Sequence, residues 1–138
     1  MIVLDTNVIS EMMLPRPEPK VSAWLDAQPE ENLWTTSIVI AELVSGIDCM
    51  PGGRKQIALR EAVEGMIAGD FRGQILRFDV PCARCYGQIL AARQKLGRPI
   101  SQMDALIAAT ALANGATLAT RNTSDFENCG VPLVNPWG

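Results

Sequence analysis

Three carboxylates sit within the most apolar stretches of this 138-residue chain. Asp5 closes Met1-Ile-Val-Leu, Glu42 lies inside Thr36-Ser-Ile-Val-Ile-Ala-Glu-Leu-Val, and Asp104 lies inside Ile100-Ser-Gln-Met-Asp-Ala-Leu-Ile-Ala-Ala. No Lys or Arg falls within any of the three segments. A carboxylate drawn into apolar surroundings needs a proton, a cation or a metal ion, because an unpaired buried charge is costly. The chain also contains no histidine, which removes imidazole as base, acid or zinc ligand. Three acids converging on a hard divalent cation would satisfy all of them. Such a centre activates water for phosphodiester hydrolysis.

For those acids to meet, the elements between them must bring positions 5, 42 and 104 to one rim. Ile2-Val-Leu-Asp5 reads as a short apolar strand of the kind buried on both faces of a parallel sheet. Thr6-Asn7 turns into a short helix that the Pro15-Arg-Pro-Glu-Pro19 run ends. Val21, Trp24 and Leu25 recur at helical spacing over 19–28. Leu33-Trp-Thr-Thr36 is a second strand and 37–49 an apolar helix. Pro51-Gly-Gly53 breaks the chain before a polar-faced helix over 54–68. A third strand follows over 74–78, and Pro81 suits the first turn of a helix that runs to Leu96. Ser101 opens another helix, which Asn114-Gly115 terminates. Strand four is Ala116-Thr-Leu-Ala-Thr120, and Val131-Pro-Leu-Val134 is the last; Pro132 assigns it to the sheet edge.

Strands alternating with helices predict one α/β domain over 1–138, with a mostly parallel sheet covered on both faces. Sites in such sheets form beyond the carboxyl ends of the strands. Asp5 occupies that position on strand one. Glu42 lies about one and a half turns into the helix after strand two, and Asp104 lies in the first turn of its own helix, where the helix end favours negative charge. Each has a plainer reading. Asp5 is a candidate helix cap, and Asp104 the acidic half of a capping box with Ser101. Glu42 is too deep in its helix to cap. Together the three favour a metal site.

The chain is long enough to bury roughly two-thirds of its unfolded surface, and an apolar fraction of 48% favours a packed core over disorder. A net charge of −3 argues against a protein that coats nucleic acid, yet is compatible with a nuclease whose cations offset its acids. The first ten residues lack a basic n-region, and no apolar run approaches the ~18 residues of a membrane span. The expectation is a cytoplasmic protein with reduced thiols at 49, 82, 85 and 129. Cys82-Ala-Arg-Cys85 has redox or zinc spacing, but without His the four cysteines are expected to be ordinary helix and core residues.

Leu4-Asp-Thr-Asn-Val-Ile-Ser10, Ile40-Ala-Glu-Leu43, Asp104-Ala-Leu-Ile-Ala-Ala-Thr-Ala111, Ala119-Thr-Arg-Asn-Thr-Ser-Asp-Phe126 and Asn135-Pro-Trp137 occur in this order. Taken together they resemble the PIN-domain ribonucleases, and most closely the VapC/FitB-like toxins of toxin–antitoxin pairs. The resemblance implies a three-layer α/β/α sandwich and a Mg²⁺- or Mn²⁺-dependent endoribonuclease that leaves 5′-phosphate and 3′-hydroxyl ends. It also implies a homodimer and a small cognate antitoxin, often DNA-binding. Asp5, Glu42 and Asp104 match the three principal acids of that family. Many members carry a fourth near the end of strand four, for which Asn122 and Asp125 are the alternatives here.

Around these, Thr6, Asn7 and Thr120 are candidates for orienting carboxylates or waters, with ordinary turn and cap chemistry the plainer role. Arg121 is a candidate RNA contact. Arg93, Lys95 and Arg98 could extend its rim, although a solvated helix end is the expectation for those three. Trp24 and Trp34 are expected in the core. Rival functions are thinner. A phosphoaspartyl enzyme needs an acid where Asn7 stands, and no Gly-x-x-x-x-Gly-Lys loop exists for a nucleotide hydrolase. The remaining alternative is a non-catalytic binding module whose acidic pocket docks a partner's arginine.

Overall fold

The computed structural model describes residues 1–138. Eleven regular elements follow one another: β1 (Ile2–Leu4), α1 (Thr6–Met12), α2 (Pro19–Asp26), β2 (Leu33–Thr36), α3 (Ser37–Asp48), α4 (Arg54–Gly65), β3 (Ile75–Leu76), α5 (Val80–Lys95), α6 (Gln102–Ala113), β4 (Thr117–Ala119) and β5 (Leu133–Val134). A widened turn at Met66–Asp70 extends α4, and a tight 3-10 turn at Thr123–Phe126 separates β4 from β5.

All five strands are parallel, in the order β3-β2-β1-β4-β5. Ile2 lies opposite both Leu33 and Thr117, and Leu4 opposite Ala119. The chain builds outward from β1 through β2 to β3, then returns to the other flank of β1 with β4. That reversal opens a crevice between the carboxyl ends of β1 and β4.

The outer strands are shorter than expected. Gln74 is bound into a turn, its N–H donating to Phe71 O at 2.8 Å, while its side-chain amide ties back to the carbonyls of Glu30 and Leu33. Beyond Leu76 the chain leaves the sheet to start α5, whose cap Asp79 accepts from Cys82 N–H. At the other edge Pro132 has no N–H to give; only its carbonyl takes part, accepting from Leu118 N–H at 2.8 Å.

A cluster of 22 buried apolar residues fills the space between sheet and helices. Its axis is α6, buried at Ala105, Ile107, Ala108, Ala109 and Ala111. Being apolar on all sides, α6 must be covered on all sides, and α5, α3 and β4 provide the cover. Its alanines let those neighbours approach closely. In contrast α3, equally apolar in sequence, buries only Val39, Leu43 and Ile47 and leaves Ala41 and Ser45 exposed.

Candidate active site

Each acid is placed by a helix start at the rim. Asp5 ends β1 and caps α1, with Oδ1 accepting from Thr6 N–H at 2.8 Å. β2 passes into α3 without a loop because the Thr36 hydroxyl accepts from Val39 N–H at 3.1 Å, so Glu42 falls in the second turn. Ser101 caps α6 and accepts from Asp104 N–H at 3.2 Å. The capping roles read from sequence for Asp5 and Ser101 are therefore real. They coexist with a shared destination, since Asp5, Glu42 and Asp104 line one open pocket of about 480 Å³.

Asp5 is 5% exposed and is held by neutral donors alone. Thr120, the residue after β4, donates its hydroxyl to Asp5 Oδ2 at 2.8 Å. The same hydroxyl oxygen accepts from Asn7 Nδ2 at 3.3 Å and Asn122 N–H at 3.1 Å, so its hydrogen-bonding capacity is full. Asn7 Oδ1 in turn accepts from Arg121 N–H at 3.2 Å. Thr6 donates its hydroxyl to Glu42 Oε1 at 2.6 Å. Thr6, Asn7 and Thr120 thus all touch the acids or each other, bridging the β1–β4 crevice.

Burial lifts the Asp5 carboxyl to a pKa of about 6; bonds from Thr120 and Thr6 oppose the rise, and the charges of Asp104 and Glu42 add to it. Asp104 is also raised, first by burial and then by Asp125 and Glu42, with Ser101 and Arg93 pulling it back. The acids therefore feel one another across the pocket. No cation pairs with them, for the protein's two ion pairs are Arg60–Asp48 and Arg98–Glu127, both at the surface. An all-oxygen set of uncompensated carboxylates suits a hard divalent ion. The carboxylates face the pocket without closing into a three-acid cage.

Several expectations change here. Only Asp5 is buried; Glu42 and Asp104 are partly buried, because α3 turns one open side to the pocket and Asp104 sits at the exposed start of α6. Asn122 lines the pocket, whereas Asp125 stands outside its wall but close enough to raise Asp104. Arg93 is no solvated helix end. It is 4% exposed, donating through Nε to Arg98 O at 2.7 Å and through Nη1 to Asp125 O at 2.9 Å and Glu127 O at 3.0 Å. Its register with Ile89, one turn earlier on the buried face of α5, is the signal that distinguishes it from Lys95.

Trp24 and Trp34 pack against the core as expected. Trp137, which the sequence offers as part of a motif but without a role, lines the acidic pocket, and the Arg121 guanidinium lies over its ring at 5.1 Å from the centroid. Beyond Glu42 an apolar groove of about 380 Å³, walled by Met13, Leu43, Ile47, Met50 and Leu59, shares Thr6 and Glu42 with the pocket. All four cysteines are unpaired, and Cys82 and Cys129 are buried. No helix is long and apolar enough to cross a membrane.

The PIN domain family model matches residues 2–130. The chain is 42% identical over 137 residues to "VapC ribonuclease Y4jK" of Sinorhizobium fredii, covering 99% of this chain and 98% of the relative. It is 42% identical, again over 137 residues, to "Toxin FitB" of Neisseria gonorrhoeae, covering 99% of each. Among solved structures, FitAB bound to an IR36 DNA fragment superposes with a TM-score of 0.92 at 41% identity, covering 100% of this chain and 96% of that one.

Proposed function

The chain belongs to the PIN-domain family, and on that premise we propose that it is a metal-dependent endoribonuclease acting as the toxin of a toxin–antitoxin pair. The observation that carries this reading is the set of three uncompensated carboxylates, Asp5, Glu42 and Asp104, from separate elements around one pocket at the β1–β4 crevice. These residues would hold Mg²⁺ or Mn²⁺, with Asn122 or Asp125 contributing a fourth, outer oxygen. Such an ion would supply Lewis-acid chemistry, activating water and offsetting charge on a scissile phosphate.

The chain's own groups prepare that site. Thr120 and Thr6 each commit one lone pair of the Asp5 carboxylate and leave others directed to the pocket. Asn7 braces Thr120, so the anchoring of Asp5 depends on a two-residue chain of bonds across the crevice. Thr6 holds Glu42 in the same way. Such supporting contacts fix ligand orientation and tune affinity. Without a metal the buried Asp5 carboxyl is pushed up to about 6, so protons and the cation compete for it as pH falls.

The same surfaces fit a small protein antitoxin. The apolar groove can take the hydrophobic face of a partner segment, and the adjoining acids can take an arginine in two-pronged geometry that competes with the metal. A homodimer and RNA as substrate belong to this reading. The alternative of a purely non-catalytic dock uses the same geometry and differs only in activity.

Purified protein should cut single-stranded RNA with Mg²⁺ or Mn²⁺, leave 5′-phosphate ends, and stop in EDTA. Asp5→Asn should lower the rate by on the order of 10²-fold or more, the scale set by losing a group that stabilises transition-state charge. Undiminished cutting in EDTA, or RNA left intact under all metals, would overturn the nuclease reading; intact RNA with a tightly bound arginine-bearing partner would leave the dock.

A further inference from the structure

An RNA strand approaching this pocket meets a wall of negative charge. Asp5, Glu11, Glu42 and Asp104 line it, and Arg121 is its sole cationic lining residue. Arg121 is exposed, yet it forms no ion pair with any of those four acids. The guanidinium lies instead over Trp137, 5.1 Å from the ring centroid. An indole face is the best aromatic partner for a cation, and here it competes with the carboxylates for the arginine.

The backbone that carries the ring is fixed. The main-chain N–H of Trp137 donates to Asn135 Oδ1 at 2.9 Å, the main-chain N–H of Gly138 donates to Asn135 O at 3.0 Å, and Pro136 is buried. That closing turn is tied to the site through β5, since Thr120 N–H donates to Val134 O at 3.0 Å. Arg121 is fixed from the other end by its own N–H on Asn7. A cation held off the acids at the mouth of an acidic pocket keeps its donor fork free for an incoming anion.

We propose that Arg121, braced by Trp137, is a phosphate clamp that grips one non-scissile phosphate of the RNA and so seats the neighbouring linkage over the three acids. Arg121 contacts the substrate, and Trp137 is a positioning residue that acts through it. The inference rests on the ribonuclease reading and deepens it by assigning a backbone subsite.

Binding of a short single-stranded RNA is measured by fluorescence anisotropy on the full chain carrying Asp5→Asn with Mg²⁺ present, beside cleavage by the parent protein. Arg121→Ala should weaken binding about tenfold and flatten the salt dependence by about one phosphate contact. Trp137→Leu keeps apolar bulk but no π face and should weaken binding several-fold, while Trp137→Phe restores most of it. The double variant should bind no worse than Arg121→Ala alone. In a scan of singly placed methylphosphonates, one position should weaken binding to the Arg121 protein and have no effect on Arg121→Ala.

Parent protein that cuts and binds RNA, with Trp137→Leu binding as tightly or with no methylphosphonate position coupled to Arg121, overturns the clamp alone. Additive losses in the double variant overturn the bracing role of Trp137. Parent protein that neither binds nor cuts RNA overturns the ribonuclease reading, and the clamp with it.

Discussion

Two buried charges in this protein, Asp5 and Arg93, are both satisfied without an ion-pair partner, and the contrast between them separates structure from chemistry. Arg93 fans its guanidinium onto three backbone carbonyls, those of Arg98, Asp125 and Glu127. Carbonyls are fixed neutral acceptors, and these three hold the guanidinium between the end of its own helix and the segment after β4. The result is a pin that fastens the end of α5 to the 123–129 segment. Asp5 also relies on neutral partners, the Thr120 hydroxyl and Thr6 N–H, but it opens onto solvent beside two more acids. Its burden shows in a carboxyl lifted to about 6. Fixed carbonyls give Arg93 a structural task; the two acids beside Asp5 leave it able to bind a proton or a cation.

The largest effect should come from removing the pin. Arg93→Met keeps the apolar stem but takes the donor from three carbonyls at a part-buried site, which costs roughly 3–5 kcal/mol. The midpoint of thermal unfolding should fall by roughly 10 °C or more, while cleavage per folded molecule suffers far less than in Asp5→Asn. Arg93→Lys, with one ammonium for a planar fork, should recover only part of the loss. If instead Arg93→Met melts like the parent and abolishes cleavage, the assignment of the two regions is reversed.

The opposite sign is expected at Asp5. Between the ordinary carboxyl value of 3.8 and about 6 the folded protein holds a proton that the unfolded chain releases. Stability in EDTA should therefore fall as pH rises through that window and stay flat above it. Asp5→Asn removes this slope, and at pH 7 without metal it should be more stable than the parent by up to about 3 kcal/mol. At pH 3.5 the two should converge. Parallel stability curves from pH 4 to 7 would count against burial as the source of the shift.

Thr120→Val tests the bond that moderates Asp5. A hydrogen bond to a charged acceptor contributes about 1.5–3 kcal/mol, and this one also lowers the carboxyl value. Its loss should push Asp5 higher still and move the acid limb of the cleavage profile to higher pH, with Thr120→Ser restoring both. An acid limb that stays in place would mean that another group controls it.

The parallel fold was legible because strands buried on both faces are apolar where they cross the core, as Ile2-Val-Leu and Leu118-Ala are, and because Ser101 and Pro81 mark helix starts by local chemistry. Burial was less legible. Apolar runs at α3 and α6 look alike in sequence, but α6 is enclosed by helices and sheet while α3 faces one side to the pocket; the neighbours that decide this are remote in the chain. Arg93 resembles a solvated helix end in sequence for the same reason, since its partners come from residues 98, 125 and 127. Thr120 and Asn7 are legible as candidates for orienting the carboxylates, but their bonds to Asp5 and to each other depend on β4 lying beside β1, and Trp137 acquires a partner only once β5 is laid beside β4.

The smallest and sharpest prediction concerns the fourth oxygen. Asn122 lines the pocket with its N–H tied to Thr120, so its side chain is at the right edge but carries no charge. Asp125 carries the charge, but it stands outside the wall with its carbonyl pinned by Arg93. A hard cation prefers carboxylate to amide oxygen, so Asn122→Asp should tighten Mn²⁺ binding, read by calorimetry, by roughly fivefold, the equivalent of ~1 kcal/mol of screened attraction. Asp125→Asn should leave Mn²⁺ affinity nearly unchanged while lowering the Asp104 carboxyl value, because one of the charges that raises it is gone. An affinity loss in Asp125→Asn equal to that in Asp5→Asn would instead make Asp125 a direct ligand, and the segment pinned by Arg93 would then belong to the chemistry as well as to the structure.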